Sequence, residues 1–146
     1  MTNGDAEPDT LRVLLDTHVL IWAVSDPGRL SVDARAILTA GSNLTFFSTV
    51  SVWEIAIKCA LGRPDFSVRP EAVATAALQA GLLELSVTLG AATRVADLPL
   101  YHRDPFDRLL VAQAMWEDAR LLTANTVLAA YGPTVLTFAR SRSSNV

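Results

Sequence analysis

Apolar positions along this chain fall into short unbroken runs and longer stretches with helical spacing, and the two kinds alternate. Leu11 to Leu15 is a largely apolar run of the kind that forms a buried parallel strand, and it stops at Asp16-Thr17-His18 before a second apolar stretch, Val19 to Val24. Strand followed by helix is the natural reading. Leu44 to Ser48 is a second strand by its aromatic and β-branched content. It leads into Ser51-Val52-Trp53-Glu54, which opens a helix with Val52, Ile55, Ala56 and Cys59 on one face. Glu54 then sits one turn inside that helix. Leu82 to Val87 is a third strand candidate, followed by a helical stretch from Leu89 to Ala96. Asp104-Pro105-Phe106-Asp107 starts the most apolar helix, which runs to about Ala119 and feeds a strand over Arg120 to Thr123. Leu30-Ser31 begins a further helix ending near Gly41, and Pro70 and Gly81 bracket another. Short strands alternating with helices predict an α/β fold, a largely parallel β-sheet flanked by helices.

Right-handed crossovers in such a sheet place every strand-to-helix junction on its carboxyl edge, and a helix running back to the next parallel strand begins there too. Four polar positions therefore converge. Asp16 ends the first strand, Glu54 opens the helix after the second, Asp107 opens the helix before the strand ending at Thr123, and Asn125 follows that strand. Open α/β sheets bind their ligands at this edge.

Composition narrows the picture further. With 146 residues, 51% of them hydrophobic, the chain is expected to form one domain over residues 11–138, with frayed polar ends at 1–10 and 139–146. The only cysteine, Cys59, allows no internal disulfide and suits a reducing compartment. Residues 1–10 lack the basic start and apolar stretch of a secretion signal, and no apolar run approaches the roughly 20 residues of a membrane span, so a soluble cytoplasmic protein without a membrane partner is expected. A net charge of −3 argues against broad phosphate neutralisation, although bound divalent ions would reverse the local sign at an acidic cluster. Arg103 and Arg108 flank the third acid and are candidate phosphate contacts.

Each acid also has a structural explanation. Asp16 is placed to cap a helix; Ser51 and Glu54 have capping-box spacing; and Asp104 and Asp107 nearly repeat it around a proline suited to the first helical turn. Capping alone does not explain why the carboxylates share one edge of the sheet. Clustered carboxylates repel and raise one another's pKa, so the fully ionised cluster is favoured when cations sit among them. Oxygen-only ligands point to Mg²⁺, with Mn²⁺ as a substitute, rather than to zinc, for which His18, His102 and Cys59 form no recognisable spacing. Metal-assisted phosphodiester hydrolysis is the chemistry such a site performs.

The segments Leu15-Asp16-Thr17-His18-Val19-Leu20, Val52-Trp53-Glu54-Ile55-Ala56-Ile57-Lys58, His102-Arg103-Asp104-Pro105-Phe106-Asp107-Arg108-Leu109-Leu110 and Leu122-Thr123-Ala124-Asn125 resemble the ordered signatures of PIN-domain ribonucleases, most of all VapC-type toxins of bacterial toxin-antitoxin pairs. The likeness runs from about Leu11 to Phe138. It implies a three-layer α/β/α fold and a Mg²⁺-dependent endoribonuclease that forms a homodimer and is silenced by a small VapB-type antitoxin. By the same resemblance Asp16, Glu54 and Asp107 are the catalytic and metal-binding acids, supported by Thr17, Asp104 and Asn125. Asn125 departs from the pattern, because the family commonly has an aspartate there. An amide can orient a water but brings no charge, which keeps a weak or inactive PIN-like interaction module in play as the alternative.

The remaining singled-out residues are read structurally. Trp22, Trp53 and Trp116 are assigned to core or subunit contacts, and Lys58, the only lysine, to solvating its helix. A phosphoaspartyl switch would need a late lysine, and none follows Lys58. A Rossmann domain would need a glycine-rich turn after the first strand, and a serine hydrolase a nucleophile elbow.

Overall fold

The computed structural model describes residues 10–138. Five parallel strands make one sheet: β1 Arg12–Leu15, β2 Leu44–Ser48, β3 Leu83–Leu85, β4 Arg120–Thr123 and β5 Val135–Thr137, in the order β3-β2-β1-β4-β5. Val13 of β1 is paired with Thr45 of β2 on one side and with Arg120 of β4 on the other, so β1 is the central strand. The chain moves outward from β1 through β2 to β3, then returns to the opposite flank for β4 and β5. That reversal sets the topological switch point between the carboxyl ends of β1 and β4.

Alternate residues of β1 point to opposite faces and seed two cores. Val13 and Leu15 join Leu20 and Trp22 of α1 (Thr17–Ser25), Ala34 of α2 (Val32–Thr39), Ile55 of α3 (Thr49–Ala60) and Val73 of α4 (Pro70–Gln79). Leu14 joins Leu121 of β4 and Leu110, Val111 and Ala114 of α6 (Pro105–Trp116) on the other face, where α5 (Leu89–Arg94) packs on α6. The result is the three-layer α/β/α arrangement. Both sheet faces are covered, which is why the central strands read as unbroken apolar runs rather than alternating ones.

Several boundaries differ from expectation, each for a local reason. α3 starts at Thr49, capped by the Ser48 hydroxyl accepting from Val50 N at 3.0 Å. The Ser51–Glu54 capping box therefore does not form, and both residues face inward, Ser51 from the first turn and Glu54 from the second. Ala56, assigned by its apolar character to the buried face, is exposed. β3 keeps only three of the expected six residues, and the stretch after it is split into α5 and a 3-10 turn over Val95–Asp97. β5 was not anticipated as a separate strand. Residues 1–9 and 139–146, where frayed ends were expected, lie outside the described residues. Among the described residues no helix is long and apolar enough to cross a membrane.

Candidate active site

β1 ends at Leu15, and Asp16 carries the ladder one step further by donating its backbone N–H to Leu122 O of β4 at 3.1 Å. Its side chain then caps α1: Oδ1 accepts from Val19 N at 2.8 Å. Oδ2 accepts from the hydroxyl of Thr123, the last residue of β4. Asp16 thus lies across the switch point, joining the two strand ends that define it. Only 6% of it is exposed. Burial raises its carboxyl from the ordinary 3.8 to about 6, with the Thr123 and Val19 hydrogen bonds opposing the shift and the charge of Asp107 adding to it.

Thr17 and Glu54 form the next layer. The Thr17 hydroxyl donates to Glu54 Oε1 at 2.6 Å and lies 3.0 Å from Ser51 Oγ. Glu54 Oε2 accepts from Lys58 Nζ at 2.6 Å, and the glutamate is 3% exposed. Ser51, Glu54 and Lys58 therefore make an inward polar stripe along α3, three and four residues apart. Lys58 does not solvate its helix as expected. Its ammonium reaches within 3.9 Å of Asp104 Oδ2 and lies over the rings of Phe66 and Phe106.

At the start of α6, Asp104 caps the helix by accepting from Asp107 N at 3.0 Å, with Pro105 at the first helical position. Asp107 Oδ2 pairs with His102 Nε2 at 2.9 Å, a contact that the absence of a zinc-like spacing around His102 gave no sign of. The Asp107 carboxyl is raised by burial and by the charges of Asp104 and Glu54, against the hydrogen bond and charge of His102. Asn125 begins the turn after β4. Its Oδ1 accepts from Val127 N at 3.1 Å and its backbone N–H donates to Thr123 Oγ1 at 3.0 Å.

Capping and clustering thus coexist, as Asp16 and Asp104 do both. Among the described residues, however, no three His, Cys, Asp or Glu side chains make a ready-made metal cage. Glu54 has Lys58 as its counter-charge, whereas Asp16 and Asp107 are both raised, Asp16 by burial and the charge of Asp107, and Asp107 by burial and the charges of Asp104 and Glu54. A cation would relieve that repulsion. The donor chemistry fits a hard ion that binds through one or two carboxylates and retains water.

The two candidate phosphate contacts separate. Arg108 uses Nη1 on Pro99 O and Tyr131 Oη, at 2.9 and 3.1 Å, and Nη2 on Val95 O and Leu98 O, at 3.2 and 3.4 Å. Its fork is filled by carbonyls of the segment before α6 and by the Tyr131 hydroxyl, which corrects its assignment to phosphate. Arg103 is exposed. Arg108→Ala is expected to lower stability by about 2 kcal/mol, since several carbonyls lose their donor, whereas Arg103→Ala is expected to leave the melting temperature unchanged. Thermal melts of the two variants check this.

Of the tryptophans only Trp22 belongs to the core; Trp53 is 58% exposed and meets Phe106 edge-on at 5.2 Å, and Trp116 is half exposed. A groove of about 620 Å³ opens beside Asp16 and Asn125, lined also by His18, Trp22, Arg29 and Asp65.

The family model described as the PIN domain matches residues 13–132. No curated protein gives a significant match. Among solved structures, VapBC2 from Rickettsia felis bound to a DNA fragment from their promoter is similar with a TM-score of 0.64 at 14% identity, over 88% of this chain and 98% of that one. DNA-bound VapBC from Salmonella typhimurium is similar with a TM-score of 0.62 at 16% identity, over 88% and 98%. A toxin-antitoxin complex from Klebsiella pneumoniae is similar with a TM-score of 0.60 at 22% identity, over 87% and 98%. At these identities the likeness establishes a common fold.

Proposed function

Because this chain belongs to the PIN-domain family, we propose that it is a VapC-type endoribonuclease, dependent on Mg²⁺ and restrained by a small VapB-type antitoxin. One observation carries the reading: Asp16 is buried at the switch point with its carboxyl raised to about 6, facing the charge of Asp107. Two carboxylates destabilised in this way form a site prepared for a cation, and stability alone gives no reason to keep them.

In this reading Asp16 and Asp107 hold the ion. When bound, the ion lowers the pKa of a water to supply the nucleophile and stabilises charge on the phosphodiester. The chain's own groups orient and exclude. Thr123 and Val19 N fix the Asp16 carboxylate, and His102 does the same for Asp107. Thr17 ties Glu54 to α1, so that α1 and α3 keep a set spacing at the sheet edge. The groove beside Asp16 gives room for an extended RNA strand, Arg29 is a basic group in its lining, and Arg103 is exposed and free to meet phosphate. Homodimer formation, an antitoxin partner and a cytoplasmic location belong to the same proposal; the VapBC complexes of similar fold support the antitoxin.

Asn125 favours a second reading, a PIN-like interaction module of little or no activity, because its side-chain oxygen serves as a turn cap and brings no charge. Purified protein incubated with RNA and Mg²⁺, with and without chelator, separates the two. Chelator-sensitive cleavage is expected. RNA left intact at high protein concentration would leave only the interaction module.

A further inference from the structure

Lys58 is the only lysine in a chain whose 12 basic residues are otherwise all arginine, and it points into the acidic site. Its side chain is 15% exposed, and its ammonium is 2.6 Å from Glu54 Oε2 and 3.9 Å from Asp104 Oδ2. The rings of Phe66 and Phe106 lie 5.0 and 5.3 Å from that ammonium. A lysine solvating its helix keeps its head in water; this one is drawn inward and held between two aromatic faces.

We propose that Lys58 is a resident cation occupying the second positive position of the acid cluster, so that the site takes a single divalent ion on the Asp16–Asp107 side. The inference rests on the metal-nuclease reading above and concerns its stoichiometry. Both oxygens of Glu54 are already engaged, Oε1 by Thr17 and Oε2 by Lys58. Asp104 Oδ1 caps α6, and its Oδ2 faces the same ammonium. A divalent ion placed between Glu54 and Asp104 would meet a fixed positive charge at short range. Asn125 removes the other route to a second ion, since its Oδ1 is bound to Val127 N and carries no charge. Among the described residues no lysine or arginine pairs with Asp16 or Asp107. Asp107 Oδ1 takes part in none of the hydrogen bonds among the described residues, and the partner of Oδ2 is a histidine. Lys58 is thus a positioning residue: it acts through Glu54 and Asp104.

The neutral variant Lys58→Met keeps the chain length and the contact with the two rings while freeing Glu54 Oε2 and Asp104. Calorimetric titration of Mn²⁺ into the metal-free full chain is expected to give one ion per chain for the wild type, two for Lys58→Met and one for the charge-conserving Lys58→Arg. A merely structural lysine would lower binding when removed and could not raise the count. Should Lys58→Met fail to fold by circular dichroism, Lys58→Gln decides in its place. Two ions in the wild type, or one or none in the folded neutral variant, would overturn the role of Lys58. No Mn²⁺ bound by the wild type would instead overturn the metal-nuclease reading itself.

Discussion

Asp16→Asn is expected to reduce RNA cleavage by about a thousandfold, in keeping with several kcal/mol of lost charge stabilisation, while making the metal-free protein more stable. The two effects share one cause. The carboxyl sits at about 6 in the fold against an ordinary 3.8, so folding favours its protonated form. The stability that form contributes is complete below the unfolded value near pH 4 and is lost as pH rises through 6. At pH 8 the buried charge costs up to about 3 kcal/mol in the absence of a cation. Asparagine keeps an oxygen for Val19 N and brings no charge. In chelator at pH 8 the variant should therefore melt above the wild type, and near pH 4 the gap should close. Added Mg²⁺ should stabilise the wild type and leave the variant unmoved. A variant that melts lower at pH 8 in chelator would show that Asp16 is an ordinary structural cap.

Divalent-ion affinity is expected to fall by about tenfold per pH unit below pH 6, because a proton on Asp16 must leave before the ion binds. Asp107, raised by burial and by Asp104 and Glu54, competes in the same direction and steepens the loss. Mn²⁺ titrations at pH 5, 6, 7 and 8 give the slope. An affinity that does not change across that range would mean that these carboxyls are not the ligands.

The parallel sheet and the gathering of Asp16, Asp107 and Asn125 at its carboxyl edge were legible because they follow from topology. Apolar runs such as Leu121 and Leu122 mark strands buried on both faces, and crossover handedness does the rest. What was not legible depends on side-chain direction. Ser51, Glu54 and Lys58 share a face of α3 that packs toward α1 and α6, whereas the apolar pattern alone pointed to Val52, Ile55, Ala56 and Cys59. The spacing of Glu54 and Lys58, four apart with the acid first, was the available signal for their pairing. Arg108 was misjudged because its partners are backbone carbonyls of the segment before α6 and the distant Tyr131 hydroxyl, which no motif encodes. His102 could be placed only once the loop before α6 had a conformation, since it reaches Asp107, in the first turn of α6, from that loop.

Anomalous diffraction from crystals soaked in Mn²⁺ tests the account most directly. One peak per chain is expected between the carboxylates of Asp16 and Asp107, absent from crystals of Asp107→Asn. Density elsewhere, for example at the exposed His18–Asp65 pair, with none between those two acids would contradict it.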